Sequence, residues 1–338
     1  MNFEFRQRKI KPSIIALSIC IGLVLGTVFV LLGGYNVLEV YSYLIRGSLG
    51  SVSALSSTIR WTTAFLLCGI ASGIAFKGGM FNMGTEGQLY MGAISATLVG
   101  IYCKGLPAIA HIPLCMLAGM VAGAIWASIP ALLRVYWNTS EIVVTLMMNY
   151  IAINFTSFLV KEYFLTTGVF GDSLTTDELA ATARFPVFGG SPISFGFILG
   201  TLLVIAYILF FTKSKRGFEI KVSGVNPDFA KFSGISVNKV RISVMLMSGM
   251  VAGLAGAAEI MGVQGRFLSG FSPDFGTSGM LVALLGNSSG IGIYISAIFM
   301  GILKAGSLTL ERSAGVSRAL AVVIQALIIC FVSVKTLK

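Results

Sequence analysis

Long apolar runs, broken by short polar segments, make up most of this chain. Runs of about 20 residues predict membrane-spanning helices, because a helix of that length crosses the hydrocarbon core of a bilayer. The predicted spans lie near 13–33, 58–76, 86–103, 107–133, 141–160, 193–212, 240–262, 291–308 and 318–334. A segment at 276–287 is too short to cross unaided. Strand-type alternation is absent, so we predict an all-α polytopic membrane protein with residues 1–338 as one transmembrane domain.

Charged residues at the ends of these runs predict the orientation. The N-terminus is cationic, and the segment 213–239 carries many more lysines and arginines than acidic residues. Both should be cytoplasmic, because positive residues hold loops on that side, whereas the more acidic segment 161–192 should be external. These placements agree only if 276–287 counts as a crossing, which gives about ten spans with both termini cytoplasmic. The amphipathic segment 37–50 should lie along the outer surface.

Composition excludes several functions. The chain is 56% hydrophobic and only 11% charged, whereas soluble domains carry about a quarter charged residues. Its net charge of +11 sits at segment ends, which argues against nucleic-acid binding. The five cysteines and the single histidine show no paired spacing, so neither a disulfide framework nor a metal site is predicted.

Small residues recur four apart in two spans. Gly249, Gly253 and Ala257 form one such row, and Gly119 and Gly123 form another. This spacing predicts close helix packing within the membrane.

The stretch "KGGMFNMGTEGQLYMGA", residues 77–93, concentrates glycines and polar side chains inside an apolar region. Glycines interrupt a helix, and irregular backbone at membrane depth survives only when it is buried in protein or lines a watery cavity. Asn82, Glu86 and Gln88 are therefore candidates for a transport pathway. An ordinary turn at the membrane surface is the alternative.

A second stretch, "FGTSGMLVALLG" at 275–286, repeats the Gly-Thr-x-Gly pattern of residues 84–87. The predicted topology puts the first copy on the inner side and the second on the outer side. An inverted repeat would do this, with short or interrupted helices meeting near the membrane midplane around a substrate.

The segment "WNTSEIVVTLMMNYIAINF", residues 137–155, predicts a helix capped by Asn138. Glu141, Thr145 and Asn149 follow at intervals of four and form one polar stripe. Glu141 fits a cap better than a ligand contact, and Asn149, two turns deeper, is the pathway candidate. Glu259 is either interfacial or lumen-facing.

The segment 221–240 predicts a short helix in the cationic loop. Asn226 suits the N-cap, Pro227 the first helical position and Gly234 the C-terminal stop. Phe229 and Phe232 share one side, which predicts a docking surface for a partner. The alternative is a helix lying on lipid headgroups.

Together, "FNMGTEGQLYMGA", "TSEIVVTLMMNYIA", "GVNPDFAKFSGI", "GLAGAAEIMG" and "GFSPDFGTSGMLVALLG" resemble the permease subunits of bacterial ABC importers for branched-chain amino acids, ribose-type sugars and nucleosides. The first two are most similar to the larger permease of the nucleoside branch. The resemblance runs from about residue 58 to the C-terminus.

The resemblance implies a set of partners in the bacterial cell membrane. These are two ABC ATPase subunits, a second permease that is commonly a different chain, and an external, lipid-anchored substrate-binding protein. ATP and Mg²⁺ would bind the ATPase, and this chain should hold no cofactor and no metal. It also lacks the Gly-Lys-Ser/Thr phosphate cradle, so it should not be an enzyme. The coupling helix of the family, which docks on the ATPase, corresponds to residues 226–234.

The predicted pathway comprises the region 79–92, the span containing Asn149 and the region 275–287. Phe81 and Tyr90 could stack on a base while Asn82 and Gln88 supply amide hydrogen bonds. Asn287 belongs to this set, although relatives often carry a charged or polar pair where this chain reads "NSSGIG". A site for ribose or galactose would look much the same. A branched-chain amino acid would need a cation or helix N-terminus for its carboxylate, and no lysine or arginine lies deep in a predicted span.

Two other classes of function stay open as alternatives. An ion-coupled secondary transporter would need no aromatic docking helix and no ATPase. An intramembrane enzyme would need a nucleophile with a base, or a metal site, and neither is visible.

Overall fold

The computed structural model describes residues 34–166, 174–186 and 194–313, together with positions 24, 27, 28, 30–32, 323 and 326. The predicted spans 13–33 and 318–334 fall mostly outside these residues. Within the described part the α-helices are α1 (Val37–Leu49), α2 (Val52–Lys77), α3 (Thr85–Tyr102), α4 (Ala108–Trp137), α5 (Glu141–Tyr163), α6 (Phe195–Lys213), α7 (Lys215–Val225), α8 (Pro227–Phe232), α9 (Val237–Glu259), α10 (Phe275–Leu285) and α11 (Gly290–Ser313).

The predicted fold class is confirmed. Six helices among the described residues are long and apolar enough to cross a membrane, namely α2, α4, α5, α6, α9 with its extension, and α11. The apolar helix α10 has only 11 residues, as the sequence predicted for this segment. The total of ten spans stays a prediction.

Helices α2 and α9 form the centre of the described structure, since most of their residues are buried. Helices α4, α5 and α6 lie around them and expose large apolar side chains, among them Ile125, Tyr150 and Leu202. Apolar side chains exposed on membrane-spanning helices are suited to contact with lipid, where their exposure carries no free-energy penalty.

Glycines make the contact between α4 and α9 close. A methyl group at Gly123 would collide with the carbonyl oxygen of Gly249, and one at Gly253 would collide with that of Gly119. The two backbones therefore touch directly, and the packing predicted from the four-residue spacing is confirmed.

The described part of the segment 161–192 is a folded cover over one end of the helices. Its backbone pairs with the chain that follows α9, through bonds from Thr176 N to the Phe267 carbonyl at 3.1 Å and from Ser269 N to the Leu174 carbonyl at 2.9 Å. A short π-helical turn at Ile260–Gln264 redirects the chain from α9 into this cover.

The segment 213–239 is mostly helical. Helix α7 was not expected from the sequence, because lysines and glycines interrupt its small apolar face. Ile220 on that face is buried. Gly224 at the end of α7 packs against Gly79 and the Lys77 carbonyl. The segment therefore adjoins the C-terminal end of α2.

Candidate functional site

The helix interruption predicted at residues 77–93 is present. Helix α2 ends at Lys77, and Gly79 turns the chain with a φ of 70°, a conformation that a side chain would oppose. Residues 80–84 are not helical, and α3 begins at Thr85. The break exposes backbone groups that need other partners.

Asn82 and Gln88 supply part of that pairing. The Asn82 Nδ2 donates to Gln88 Oε1 at 3.0 Å and to Ser248 Oγ at 2.8 Å. The Asn82 Oδ1 accepts from Gly84 N at 2.9 Å. Both amide side chains are fully buried, so they form a closed network that links the break to α9. Ser248 precedes the row of small residues in α9, and its hydroxyl role was missed because the neighbouring glycines dominate the pattern.

Asn149 on α5 holds the same break from the other side. Its Oδ1 accepts from Gly87 N at 2.7 Å, and its Nδ2 donates to the Met83 carbonyl at 2.8 Å. The Thr145 hydroxyl accepts from Met83 N at 3.2 Å. Two residues of the polar stripe predicted on α5, Thr145 and Asn149, therefore face the interrupted segment.

The predicted cap of α5 is wrong in one respect. Asn138 ends α4 in the left-handed conformation, with a φ of 51°, instead of starting α5. The N-cap of α5 is Ser140, which makes no side-chain cap bond. Arg134 explains the difference, because it binds Asn138 Oδ1 at 3.0 Å and Glu141 at 3.0 Å. This draws both side chains back toward α4.

The two Gly-Thr-x-Gly motifs meet in space. Gly276 N donates to Glu86 Oε2 at 2.5 Å, and the Thr85 hydroxyl donates to the Gly276 carbonyl at 3.2 Å. A side chain at Gly276 would collide with the Glu86 backbone. Helices α3 and α10 thus approach each other with their N-termini, and the Glu86 carboxylate lies between two partial positive charges. Glu86 is only 5% exposed.

Aromatic rings surround this meeting point. Phe275, the first residue of α10, packs on Trp61 and Phe65 with ring centroids 5.4 and 6.1 Å away. Tyr90 packs on Phe267 and Phe271 and is buried. Phe81 lies against Phe76 instead, at 4.8 Å. The predicted stacking rings are therefore present, in separate clusters and already packed on protein.

An ion pair between α2 and α9 was missed. Arg60 Nη2 lies 2.9 Å from Glu259 Oε1, and the Glu259 side chain is 4% exposed. Helix α2 begins at Val52, six residues before the predicted span, so Arg60 lies more than two turns inside a helix. The expectation that no lysine or arginine lies deep in a predicted span is therefore corrected for Arg60, because the helix begins earlier than the predicted span. Glu259 faces the protein interior.

Other predicted residues lie away from the meeting point. Asn287 follows the far end of α10, about 16 Å along the helix from Gly276, in a turn with a φ of 49°. In the segment 213–239, Asn226 Oδ1 accepts from Phe229 N at 2.9 Å, Pro227 begins α8, and Gly234 has a φ of 80°. Phe229 is 59% exposed and Phe232 is 93% exposed.

Comparison with known proteins identifies the family. The family described as "Branched-chain amino acid transport system / permease component" matches residues 54–333. The chain belongs to this permease family. It is therefore a multi-pass membrane protein and a transport subunit, not an enzyme. Permeases of this family associate with ATPase and substrate-binding components of an ABC transporter.

Three relatives resemble this permease over nearly its full length. The guanosine ABC transporter permease protein NupP of Bacillus subtilis is 34% identical, over 94% of this chain and 91% of the relative. The nucleoside ABC transporter permease protein NupB of Lactococcus lactis subsp. cremoris is 34% identical, over 98% and 92%. The glucose ABC transporter permease protein TsgB13 of Haloferax volcanii is 33% identical, over 98% and 91%.

Proposed function

We propose that this permease carries nucleosides across the membrane as part of an ATP-driven importer. Two of the relatives above transport guanosine or nucleosides by name. A purine or pyrimidine nucleoside presents amide, amine and hydroxyl groups around an aromatic ring. A site for it needs amide partners and aromatic surfaces, and the region around the interrupted helix contains both.

The observation that carries the transport proposal is the meeting of α3 and α10 at Glu86. Short helices whose ends meet inside the protein form substrate sites in many transporters, because their free backbone groups are available there. The substrate would pass where Gly276 N now binds the Glu86 carboxylate at 2.5 Å.

We assign the pathway to Phe81, Asn82, Glu86, Gln88, Asn149 and Asn287. In the described conformation the amides of Asn82, Gln88 and Asn149 are bonded to protein groups, so the pathway is closed at this level. Passage would require these bonds to exchange for bonds to the substrate. Hydrogen-bond exchange of this kind is nearly neutral in free energy, because each group keeps a partner throughout.

We assign ATPase coupling to α8 and its flanks, the residues Asn226, Pro227, Phe229, Phe232 and Gly234. The exposure of both phenylalanines supports docking, because exposed aromatic side chains on a short helix are typical interface anchors. Helix α8 follows α7, whose end packs beside Gly79. Movement of α8 would therefore be transmitted to the break between α2 and α3.

The proposed assembly extends beyond the family assignment. A second permease of different sequence would complete the transmembrane part, and a lipid-anchored binding protein would deliver the substrate. ATP and Mg²⁺ would be bound by the ATPase subunits, with no cofactor in this chain. We place the complex in the bacterial cell membrane, with both termini and residues 213–239 cytoplasmic and residues 161–192 external.

A simple sugar is the second candidate substrate. The relative TsgB13 is a glucose permease by name, at nearly the same identity as the two nucleoside relatives. A sugar would use the same amide groups and would not need a stacking ring.

Uptake into membrane vesicles that contain the assembled importer tests the substrate. Radiolabelled guanosine should accumulate only with ATP inside, and unlabelled adenosine or uridine should compete while a large excess of glucose or ribose should not. Competition by sugars alone would favour the second candidate. Uptake that continues without ATP and stops when ion gradients are collapsed would exclude an ATP-driven importer.

A further inference from the structure

A cavity of about 650 Å³ lies between α1, α2 and α11. Its wall includes Arg46, Ser57, Arg60, Trp61, Thr309 and Arg312. Among the described residues that line it, none carries a carboxylate. The cavity is large enough for an organic ligand, since small-molecule sites typically occupy about 300–1,000 Å³.

Positive charge dominates this cavity. Arg46 and Arg312 are exposed, and within the described residues neither forms an ion pair. Arg60 is paired with Glu259 at 2.9 Å, so it is held in place and its charge is balanced. The N-terminus of α2 at Ser51 also borders the cavity and adds a partial positive charge. Among the described residues, the guanidinium groups of Arg46 and Arg312 thus have no acidic partner.

The other wall groups suit a ligand with several oxygen atoms. Hydroxyl groups of Ser51 and Ser57 line the cavity and can donate hydrogen bonds, whereas the Thr309 hydroxyl already donates to the Ala305 carbonyl at 3.3 Å. Trp61 forms an apolar floor that cannot bind a base face to face, because Arg60 and Lys304 lie over its ring at 5.7 and 5.4 Å. The cavity therefore favours an anion with multiple acceptors over a neutral nucleoside.

We propose that this cavity is a binding site for a phosphate ester. Arg46 and Arg312 hold the phosphate oxygens, since a guanidinium group presents paired donors that match phosphate geometry. A phosphate monoester carries about −1.5 to −2 charge at pH 7, and a phosphodiester headgroup carries a smaller negative charge. Two arginines that form no ion pair within the described residues can balance either. None of the residues assigned to the nucleoside pathway lines this cavity, and the proposal does not depend on that pathway.

The phosphate ester can come from a lipid headgroup or from a soluble metabolite. The lipid source has structural support, because α1 exposes Leu38, Ile45 and Leu49 beside Arg46. Acyl chains would lie along these side chains while the headgroup enters the cavity, as in basic pockets that bind anionic lipids. A soluble nucleoside monophosphate would fill the same cavity with its phosphate on the same arginines.

Two probes distinguish these sources on the purified, assembled importer. Native mass spectrometry measures binding of phosphatidylglycerol, with phosphatidylcholine as the zwitterionic comparison. Equilibrium binding of radiolabelled AMP, with adenosine as the uncharged comparison, measures the soluble source. The test variant combines Arg46→Gln and Arg312→Gln. The matched control combines Lys215→Gln and Arg216→Gln, two exposed cations of α7.

We expect the test variant to lose about tenfold or more in affinity for whichever phosphate probe binds, because two charge-assisted contacts disappear. The control should stay within about twofold of the wild type on the same affinity scale. Preference for phosphatidylglycerol identifies the lipid source, and displaceable AMP binding identifies the soluble one. The single variants should each show an intermediate loss of affinity. That result would exclude misfolding of the double variant as the cause of its loss.

Equal binding of both probes to wild type and test variant would overturn the proposal. So would an equal loss in the control, since the effect would then be general electrostatics. Loss of substrate uptake in the test variant with unchanged phosphate binding would assign the arginines to contact with a protein partner, and would equally overturn a phosphate site.

Discussion

The backbone N–H of Gly276 donates a 2.5 Å hydrogen bond to the carboxylate of Glu86, across 190 residues of the chain. This bond joins the first turns of α3 and α10. A carboxylate between two helix N-termini is stabilised by both helix dipoles, so Glu86 holds together two helices that would otherwise repel at these ends.

Substitution of Glu86 should separate the effects of charge and hydrogen bonding. Glu86→Ala leaves the buried Gly276 N–H without its acceptor and should lower the free energy of unfolding by about 1–3 kcal/mol. Glu86→Gln keeps an acceptor oxygen and loses only the charge, at a cost of about 1 kcal/mol. Unfolding of the purified importer in detergent measures both. Equal stability of the two variants would show that the bond to Gly276 contributes nothing.

Asn149 tests the pathway. Asn149→Leu removes the partners of Gly87 N and the Met83 carbonyl, and should abolish or sharply reduce uptake while the assembled importer stays at normal abundance in the membrane. Each unpaired backbone group costs about 1–3 kcal/mol, which the remaining packing of α5 should tolerate. The control is Asn154→Leu on the exposed face of the same helix, where uptake should be unchanged. Disappearance of the complex in the Asn149 variant alone would make this residue structural.

The two exposed phenylalanines of α8 test coupling. The double change Phe229→Ala, Phe232→Ala should release the ATPase subunits and stop uptake, because interface anchors contribute about 2 kcal/mol or more each. Phe218→Ala is the matched control, since Phe218 on α7 is also 59% exposed. Co-purification shows the effect directly. If the ATPase stays bound at wild-type stoichiometry and uptake continues, α8 lies on lipid headgroups instead.

The cover segment should respond to acid through Glu178. Hydrogen bonds from Arg184 and then from Arg266 lower the pKa of this carboxyl, so its folded form stays ionised to lower pH than the unfolded form. Its stabilising contribution is therefore complete above the ordinary pKa of 4.5 and is lost as the pH falls through the lower, folded value.

The measurement compares thermal unfolding of wild type and Glu178→Gln across this pH range. The wild type should be the more stable at pH 7, and the difference should close in acid below the ordinary pKa. Glu162→Gln, at another exposed position, should show no such pH-dependent difference. A difference between wild type and Glu178→Gln that is the same at all pH values would contradict the ionic role.

The orientation can be tested with single cysteines in a cysteine-free background. An impermeant maleimide should label Asp177→Cys in intact cells, because the cover is expected outside. It should label Lys231→Cys only after permeabilisation, because the cationic segment is expected inside. Both positions are exposed, so access to the reagent is not limiting. The reverse pattern would invert the topology.

Local features of the sequence predicted much of the fold. Apolar length placed the helices within about six residues of their observed bounds, because the bilayer sets that length. The ends of α8 followed from Asn226, Pro227 and Gly234, whose effects act within one helical turn. The close approach of α4 and α9 followed from the glycine spacing, because small residues are needed wherever membrane helices touch.

Predictions failed where the tertiary structure offers a side chain a partner that the local sequence does not indicate. Asn138 carries the features of a helix cap, yet Arg134 draws it to the end of α4. Helix α7 was missed because its apolar face has few residues, and that face is stabilised by packing near the end of α2. The ion pair between Arg60 and Glu259 was missed because the two residues lie 199 positions apart, beyond the reach of any local pattern.

By itself, the sequence determined the membrane setting, the helical segments, the break before α3 and the polar groups available to it, because each depends on neighbouring residues along the chain. Only the tertiary structure decided which groups meet. The Gly-Thr-x-Gly motifs indicated two similar helix starts, but the contact between Glu86 and Gly276 depends on α3 packing on α9 and α10 packing on α2. Hydrogen bonds act over about 3 Å, so which distant residues come within that range is decided by the packing of whole helices.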